Sequence, residues 1–261
     1  MKHLLTGDEF SGEEVFNLVQ LGIKVKEESK NYYNALERKG ILLLFQKTST
    51  RTSLSFQSAI NQTGGYAVSL DWDRSNFSIS PIHYEARYVS RNIDLIAARL
   101  IHHSDLKILA NGSTVPVING CDEKYHPCQG LGDLMSIFEV KRTFDNIQLT
   151  YVGVHNNVAN SLIINCLKLG VKLNLLTPIV NERSWDAELM SRAKTSGLID
   201  IVTDLSQVID KTDFIYTDTW IDMENFYNPG ICRGEGSQDK YYDEISDKSS
   251  KSCKSTTFYH A

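Results

Sequence analysis

The sequence predicts an α/β protein of two domains, each a parallel sheet flanked by helices. Short runs of consecutive apolar residues, such as residues 41–45, alternate with segments whose apolar residues recur at helical spacing. Continuous apolar runs are typical of strands buried on both faces, and their alternation with helices is typical of parallel sheets. Several polar motifs fall just after predicted strands, which is the edge where such sheets bind ligands.

The first half of the chain opens with an amphipathic helix, since Ser11 and Glu14 form a capping box ahead of its apolar residues. The apolar run at 41–45 predicts a buried strand that leads into a helix after Thr52. The other elements predicted here are strands at 66–70, 94–98 and 115–118, with a helix at 83–92.

A helical stretch over 131–142 leads into a second alternating set. Its predicted strands are 148–152, 171–176, 199–203 and 213–217, and its helices are 159–167 and 184–196. We therefore expect one domain at residues 1–135 and another at 136–229. From 230 to 261 the apolar pattern is lost and Ser, Lys, Asp and Gly dominate, which predicts a disordered tail.

Bulk composition narrows the class of protein. The 261 residues are 41% hydrophobic and carry a net charge of -5, which argues against a nucleic-acid or anionic-membrane binder. No apolar run approaches the ~18 residues that a membrane span needs, and the first residues are too soon polar for a signal peptide. Five cysteines without a Cys-x-x-Cys pair indicate free thiols in the cytoplasm and no structural zinc.

The junction between strand 41–45 and the following helix carries the segment Ser49-Thr50-Arg51-Thr52. A helix N-terminus already favours an anion through its unpaired N–H groups and its dipole. Arg51 adds a planar fork suited to two oxygens of a phosphate or a carboxylate. The segment alone is equally compatible with a helix cap rich in Ser and Thr beside a solvated arginine.

Other polar groups follow later strands in the chain. Arg99 ends one strand, and after another strand comes the segment His126-Pro127-Cys128-Gln129, whose histidine and glutamine suit a carbonyl and an amide. Asn156-Asn157 opens a helix, and Asp218-Thr219-Trp220 follows the strand at 213–217. Each is equally compatible with a surface charge, a cap or a turn when taken separately.

Taken in order and spacing, these segments resemble the aspartate/ornithine carbamoyltransferase family over about residues 4–229. The pairing of Ser-Thr-Arg-Thr with His-Pro-x-Gln is highly specific for that family. The Asn156-Asn157-Val158-Ala159-Asn160-Ser161-Leu162 and Asp218-Thr219-Trp220 segments resemble its ornithine branch. The resemblance implies a carbamoyltransferase fold and transfer of a carbamoyl group from carbamoyl phosphate to L-ornithine, giving citrulline and phosphate for arginine biosynthesis.

The resemblance also implies roles for particular residues. The residues expected to hold carbamoyl phosphate are Ser49, Thr50, Arg51, Thr52, Asn76, Arg99, His126, Pro127, Cys128 and Gln129. The residues expected to contact ornithine are Asn157, Asp218, Asp222 and Met223. Arg51, Thr52, Arg99 and His126 are the expected catalytic groups. Neither a metal nor an organic cofactor is expected, because the leaving phosphate carries the activation. A homotrimer is implied, with Asn76 near a neighbouring subunit's site in place of the usual glutamine.

Two departures from the family pattern leave alternatives open. Asp222 stands where the ornithine branch has serine, which favours putrescine or another amine as an alternative acceptor. The family's later His-Cys-Leu-Pro-type loop, its following arginine and its C-terminal helix are absent. This predicts impaired catalysis and leaves two further readings, a carbamoyl phosphate-binding protein without activity and a truncated or frameshifted gene product.

Overall fold

Two parallel sheets follow one another along the chain in a computed structural model that describes residues 1–218 and the backbone of residues 257–260. Helices flank both sheets, which confirms the predicted fold class. Within the part of the chain that the structure describes, every helix is too short or too polar for a membrane span.

The first sheet has the strand order β2-β1-β3-β4. Its strands are β1 (Gly40–Phe45), β2 (Tyr66–Asp71), β3 (Leu95–Arg99) and β4 (Val117–Asn119), and its helices are α2 (Thr50–Gln62), α3 (Ile82–Val89) and α4 (His103–Gly112). Strand β1 lies inside the sheet, where Leu43 and Leu44 are fully buried, as its continuous apolar run predicts. Phe45 pairs with Arg99 across β1 and β3, so the ends of these strands lie side by side.

The second sheet has the order β7-β6-β5-β8-β9. Its strands are β5 (Gln148–His155), β6 (Lys172–Val180), β7 (Ile199–Ile201), β8 (Phe214–Thr217) and β9 (Thr257–His260), and its helices are α5 (Pro127–Lys141), α6 (Asn157–Leu169) and α7 (Ala187–Ser196). Gly170 and Gly197 end α6 and α7 in the left-handed conformation that glycine adopts without strain. Every pair of adjacent strands in this sheet is parallel.

The N-terminal segment joins the two halves. Leu4 extends the first sheet beside β4, since its N–H donates to Val117 O at 2.9 Å and its carbonyl accepts from Asn119 N at 2.8 Å. Helix α1 (Gly12–Glu27) then crosses to the other half, where its apolar face packs against α5 and α6 in the second core. Residues near the start of the chain therefore stabilise both sheets.

The structure corrects three expectations. Helix α4 was not predicted, although Leu106, Leu109 and Ala110 form its buried face. Helix α5 begins at Pro127 rather than at residue 131, because proline at the first helical position needs no N–H partner. Residues 257–260 form β9 beside β8, whereas the sequence predicts disorder there. The rest of the predicted tail lies outside the described residues.

Candidate active site

The segment between β1 and α2 forms a cradle that can bind an anion. Ser49 is the N-cap of α2, and its hydroxyl accepts a hydrogen bond from Thr52 N at 3.3 Å. This bond caps the first turn of the helix, in which the side chains of Thr50 and Arg51 are exposed. The free N–H groups, the helix dipole and the guanidinium all favour a doubly charged phosphate at this position.

Arg99 connects this cradle to the end of the neighbouring strand. Its Nη1 donates to Thr52 Oγ1 at 3.0 Å, and its carbonyl accepts from Gln46 N at 2.9 Å. The side chain of Gln46 in turn accepts from Ile101 N at 2.7 Å. Arg99 Nε is buried and has no hydrogen-bond partner among the described residues. A charged guanidinium therefore lies beside the cradle, with Nη1 bonded to Thr52 and Nε without a partner among the described residues.

His126 brings a second unpaired nitrogen to the same place. It is the N-cap of α5, and its backbone N–H donates to Ser161 Oγ on α6 at 2.8 Å. Its buried Nδ1 has no partner within residues that the structure describes. Burial first, and then the positive charges of Arg99 and Arg51, lower the pKa of His126 to about 4. The imidazole is therefore neutral near pH 7 and acts through a single N–H and a single lone pair.

A buried carboxylate that the sequence analysis missed shapes the loop before His126. Asp122 Oδ1 accepts from Lys124 N at 2.7 Å and Tyr125 N at 2.8 Å. Its Oδ2 lies 2.6 Å from His103 Nδ1 and 2.8 Å from Asn119 Nδ2. The loop between β4 and α5 is therefore fixed by a side chain whose partners come from three parts of the chain.

The start of α6 joins this loop to the second sheet. Asn157 Nδ2 donates to Asp122 O at 2.6 Å, and Asn160 Nδ2 donates to Lys124 O at 2.9 Å. The neighbouring Asn156 caps the helix through Oδ1, and its Nδ2 donates to Asp218 Oδ2 at 2.8 Å. Asp218, which follows β8, thus lies beside the start of α6 and carries a carboxylate suited to an ammonium group.

Gln129 lies one turn inside α5, where its Nε2 donates to Asp133 Oδ1 at 2.9 Å. Of the other motif residues, Pro127 is buried at the helix start, and Cys128 Sγ donates to Asn119 O at 3.6 Å. Burial raises the pKa of the Cys128 thiol to about 12, so this group is not a nucleophile at neutral pH.

Of the remaining expected site residues, one lies apart from this cluster and two cannot be placed in it. Asn76 is exposed at the start of a short 3₁₀ helix, and within the described ranges its side chain makes no hydrogen bond to the cradle. Asp222 and Met223 lie outside the described residues. Among the residues whose positions are described, no group of three or more His, Cys, Asp or Glu side chains could hold a metal ion.

Comparison with known proteins places two family domains in succession on the chain. The carbamoyl-P binding domain of aspartate/ornithine carbamoyltransferase matches residues 2–139. The Asp/Orn binding domain matches residues 145–245, which extends into the segment where the sequence predicts a disordered tail.

Individual relatives agree with this match. The ornithine carbamoyltransferase of Bacillus thuringiensis subsp. konkukian (strain 97-27) is 35% identical over 92% of this chain and 74% of its own length. The solved ornithine carbamoyltransferase from Pyrococcus furiosus is 32% identical, with a TM-score of 0.85 over 99% of this chain and 84% of its own. The anabolic ornithine carbamoyltransferase from Campylobacter jejuni is 29% identical, with a TM-score of 0.84 over 100% of this chain and 86% of its own.

Proposed function

The chain belongs to the aspartate/ornithine carbamoyltransferase family, and from that premise we propose that it transfers the carbamoyl group of carbamoyl phosphate to the side-chain amine of L-ornithine. Carbamoyl transfer is the family's reaction. The choice of ornithine is the proposal, and the observation that carries it is the Asp218 carboxylate, which Asn156 holds at the end of β8.

On the donor side, the start of α2 and Arg51 bind the phosphate of carbamoyl phosphate. Thr52, Arg99 and His126 surround the position where the carbonyl oxygen lies. Arg99 Nε and His126 Nδ1 are among the buried atoms that have no hydrogen-bond partner in the described part of the chain. Because these groups are already fixed by other bonds, they stabilise negative charge on that oxygen without reorganising.

On the acceptor side, the neutral amine nitrogen attacks the carbamoyl carbon and forms a tetrahedral oxyanion. The carbon–oxygen bond to phosphate then breaks, and the proton lost by the amine passes to the departing phosphate. The helix N-terminus and Arg51 stabilise that phosphate as it leaves. Because both reactants are held between the two sheets, a bimolecular reaction becomes effectively unimolecular.

The sign of the charge at Asp218 distinguishes among acceptors. A carboxylate attracts the ammonium group that ornithine and putrescine both carry, whereas it repels the extra carboxylate of aspartate. Asn157, whose Nδ2 is occupied by Asp122 O, offers its remaining amide oxygen to the same substrate. Asp222 and Met223 complete the proposed ornithine site.

Labelled carbamoyl phosphate offered with ornithine, putrescine and aspartate in parallel tests this choice. We expect ornithine to have the highest kcat/KM. We also expect Asp218→Asn to lower kcat/KM for ornithine about 10–100-fold and to leave the KM for carbamoyl phosphate nearly unchanged, because it removes only the acceptor's charge partner. Asp210→Asn, at an exposed position, is the matched control. Preferred turnover of aspartate would exclude the ornithine assignment, and preferred turnover of putrescine would support the diamine alternative.

The remaining parts of the proposal concern organisation. We place the donor domain at residues 1–135 and the acceptor domain at 136–229, in a cytoplasmic enzyme of arginine biosynthesis. The Campylobacter jejuni relative is an anabolic ornithine carbamoyltransferase, which supports this direction. We further propose a homotrimer. Large apolar side chains exposed on the first half support it, namely Ile79, Tyr84 and Tyr88, which are 82%, 63% and 68% exposed. Light scattering that gives the mass of a single chain would contradict the trimer.

A further inference from the structure

A buried carboxylate on α5 has no part in the mechanism above. Asp133 lies one turn beyond Gln129, so the two side chains share a face of the helix. Helical side chains lean toward the N-terminus, and Asp133 therefore reaches back to Gln129, whose Nε2 donates to its Oδ1 at 2.9 Å. The bond connects the carboxylate to the one amide side chain of the donor motif.

The hydrogen-bonding chemistry of the two groups determines whether Nε2 or Oε1 of Gln129 points toward Asp133. A carboxylate oxygen accepts hydrogen bonds and does not donate them, so Asp133 holds the NH₂ end of the amide. The oxygen end, Oε1, is consequently turned away from Asp133 as a fixed acceptor. Carbamoyl phosphate carries an NH₂ group that can donate to such an acceptor, whereas an acyl phosphate carries a methyl group at that position.

We propose that Asp133 is a positioning residue that orients the Gln129 amide and thereby makes the donor site select a carbamoyl group over an acyl group of the same shape. The inference rests on the proposed function, in which Gln129 faces the carbamoyl end of the donor.

The surroundings of Asp133 disfavour the ionised form of its carboxyl group. Tyr216 faces it from β8, and Asp218 faces it from just beyond the end of that strand. Tyr151 faces it from β5, and Cys166 faces it from α6. No cation faces it among the described residues, and burial followed by the Asp218 charge raises the pKa of Asp133 to about 7. A leucine or an amide would cost the fold less at such a place. In the acid form Oδ1 can still accept from Gln129 when the proton is on Oδ2, which has no hydrogen-bond partner among the described residues.

A pair of stable donor analogues measures the selection directly. Phosphonoacetamide carries the amide, and acetonylphosphonate replaces its NH₂ by a methyl group while keeping the ketone oxygen and the phosphonate. Isothermal titration of both analogues, with inorganic phosphate as a third ligand, separates recognition of the NH₂ group from binding in the cradle. The unmodified chain should prefer the amide about tenfold, which is the value of one well-placed hydrogen bond.

The variant Asp133→Asn keeps the volume and can offer either a donor or an acceptor to Gln129, so it no longer fixes the amide. We expect the preference to fall to about threefold or less, with phosphate affinity unchanged within about twofold. Asp133→Leu removes the partner altogether and should give the same result, while the isosteric variant keeps the test valid if leucine disturbs folding. Glu139→Gln removes another carboxylate of α5, which pairs with Lys26 of α1, and should keep the tenfold preference.

Two results would overturn the inference in distinguishable ways. If the unmodified chain prefers the amide and Asp133→Asn keeps that preference, the pair is merely structural and the proposed function stands. If the unmodified chain binds phosphate but neither analogue, the donor site itself is wrong and the inference fails with it.

Discussion

Replacing Arg99 by lysine tests the donor site directly, because the change keeps the positive charge and removes the planar fork. Two nitrogens of the Arg99 guanidinium group have separate roles. Nη1 is bonded to Thr52 Oγ1 at 3.0 Å, and Nε is buried without a partner in the described part of the chain. A lysine has one terminal nitrogen and cannot occupy both positions.

The expected loss of kcat follows from having one terminal nitrogen where the arginine has two. If the ammonium group holds Thr52, the developing oxyanion loses one preorganised donor, which costs about 10²–10³ in kcat, or about 2.7–4 kcal/mol. If it turns to the oxyanion instead, the Thr52 hydroxyl loses the bond that aligns it. The proposed phosphate position is at the start of α2 and the charge is retained, so phosphate affinity should fall by less than about tenfold.

Product formation at saturating ornithine with varied carbamoyl phosphate gives kcat and KM, and titration with inorganic phosphate gives the cradle's affinity. Arg91→Lys, at an exposed position in the same half of the chain, is the matched control and should behave as the unmodified protein. A kcat for Arg99→Lys within about threefold of the unmodified value would refute the assignment of Arg99 to the oxyanion.

Four further predictions concern α5. Because the pKa of His126 is lowered to about 4, the pH profile of kcat should lack the inflection near 6.5 that an ordinary imidazole gives. Gly132→Ala should raise the unfolding free energy by about 0.5–1 kcal/mol in urea melts, since no atom lies within 4 Å of its added Cβ. Gly130→Ala should lower it by about 1–3 kcal/mol, because its Cβ would lie 2.5 Å from a side-chain nitrogen of α6. Asp133→Asn should gain stability over the unmodified chain, by about 2–4 kcal/mol in all, as pH rises from 4 to 7.5.

The pH dependence of the unfolding free energy of Asp133→Asn relative to the unmodified chain follows from proton linkage. The folded-state pKa of Asp133, about 7, exceeds its usual 3.8, so the contribution of Asp133 to stability is fully present below 3.8 and is lost as pH rises through 7. Asparagine does not titrate and loses nothing. A constant difference in unfolding free energy across this range would contradict the raised pKa. For the glycines, equal effects at both positions would contradict the close contact between α5 and α6.

The strand and helix that flank the cradle lie where the sequence predicts them, because their signals are local. The cradle needs only an apolar run followed by hydroxyls and an arginine at a helix start, and Arg99 ends a strand that pairs with β1. The role of Asp122 was not predicted, because the residues next to it in the sequence do not indicate that its carboxylate contacts His103 and Asn119. Such a group becomes visible only when distant segments are brought together.

Helix α4 and strand β9 were not predicted from the sequence, for different reasons. The apolar stripe of α4 is present in the sequence, so that helix was predictable from Leu106, Leu109 and Ala110. Strand β9 was missed because its four residues are embedded in a polar tail, and its pairing with β8 is decided by contacts far away along the chain. Likewise, the capping box of α1 predicts a helix without saying that its apolar face packs against the second core.

The bonds between α6 and the loop at 121–126 limit how this enzyme can be divided. Ser161 holds the backbone of His126, and Asn157 and Asn160 hold the carbonyls of Asp122 and Lys124. A gene cut between the two sheets would leave the donor-binding half with these three polar anchors missing. Expressed alone, that fragment would contain every donor motif in its sequence and still lack the partners that give the histidine loop its shape.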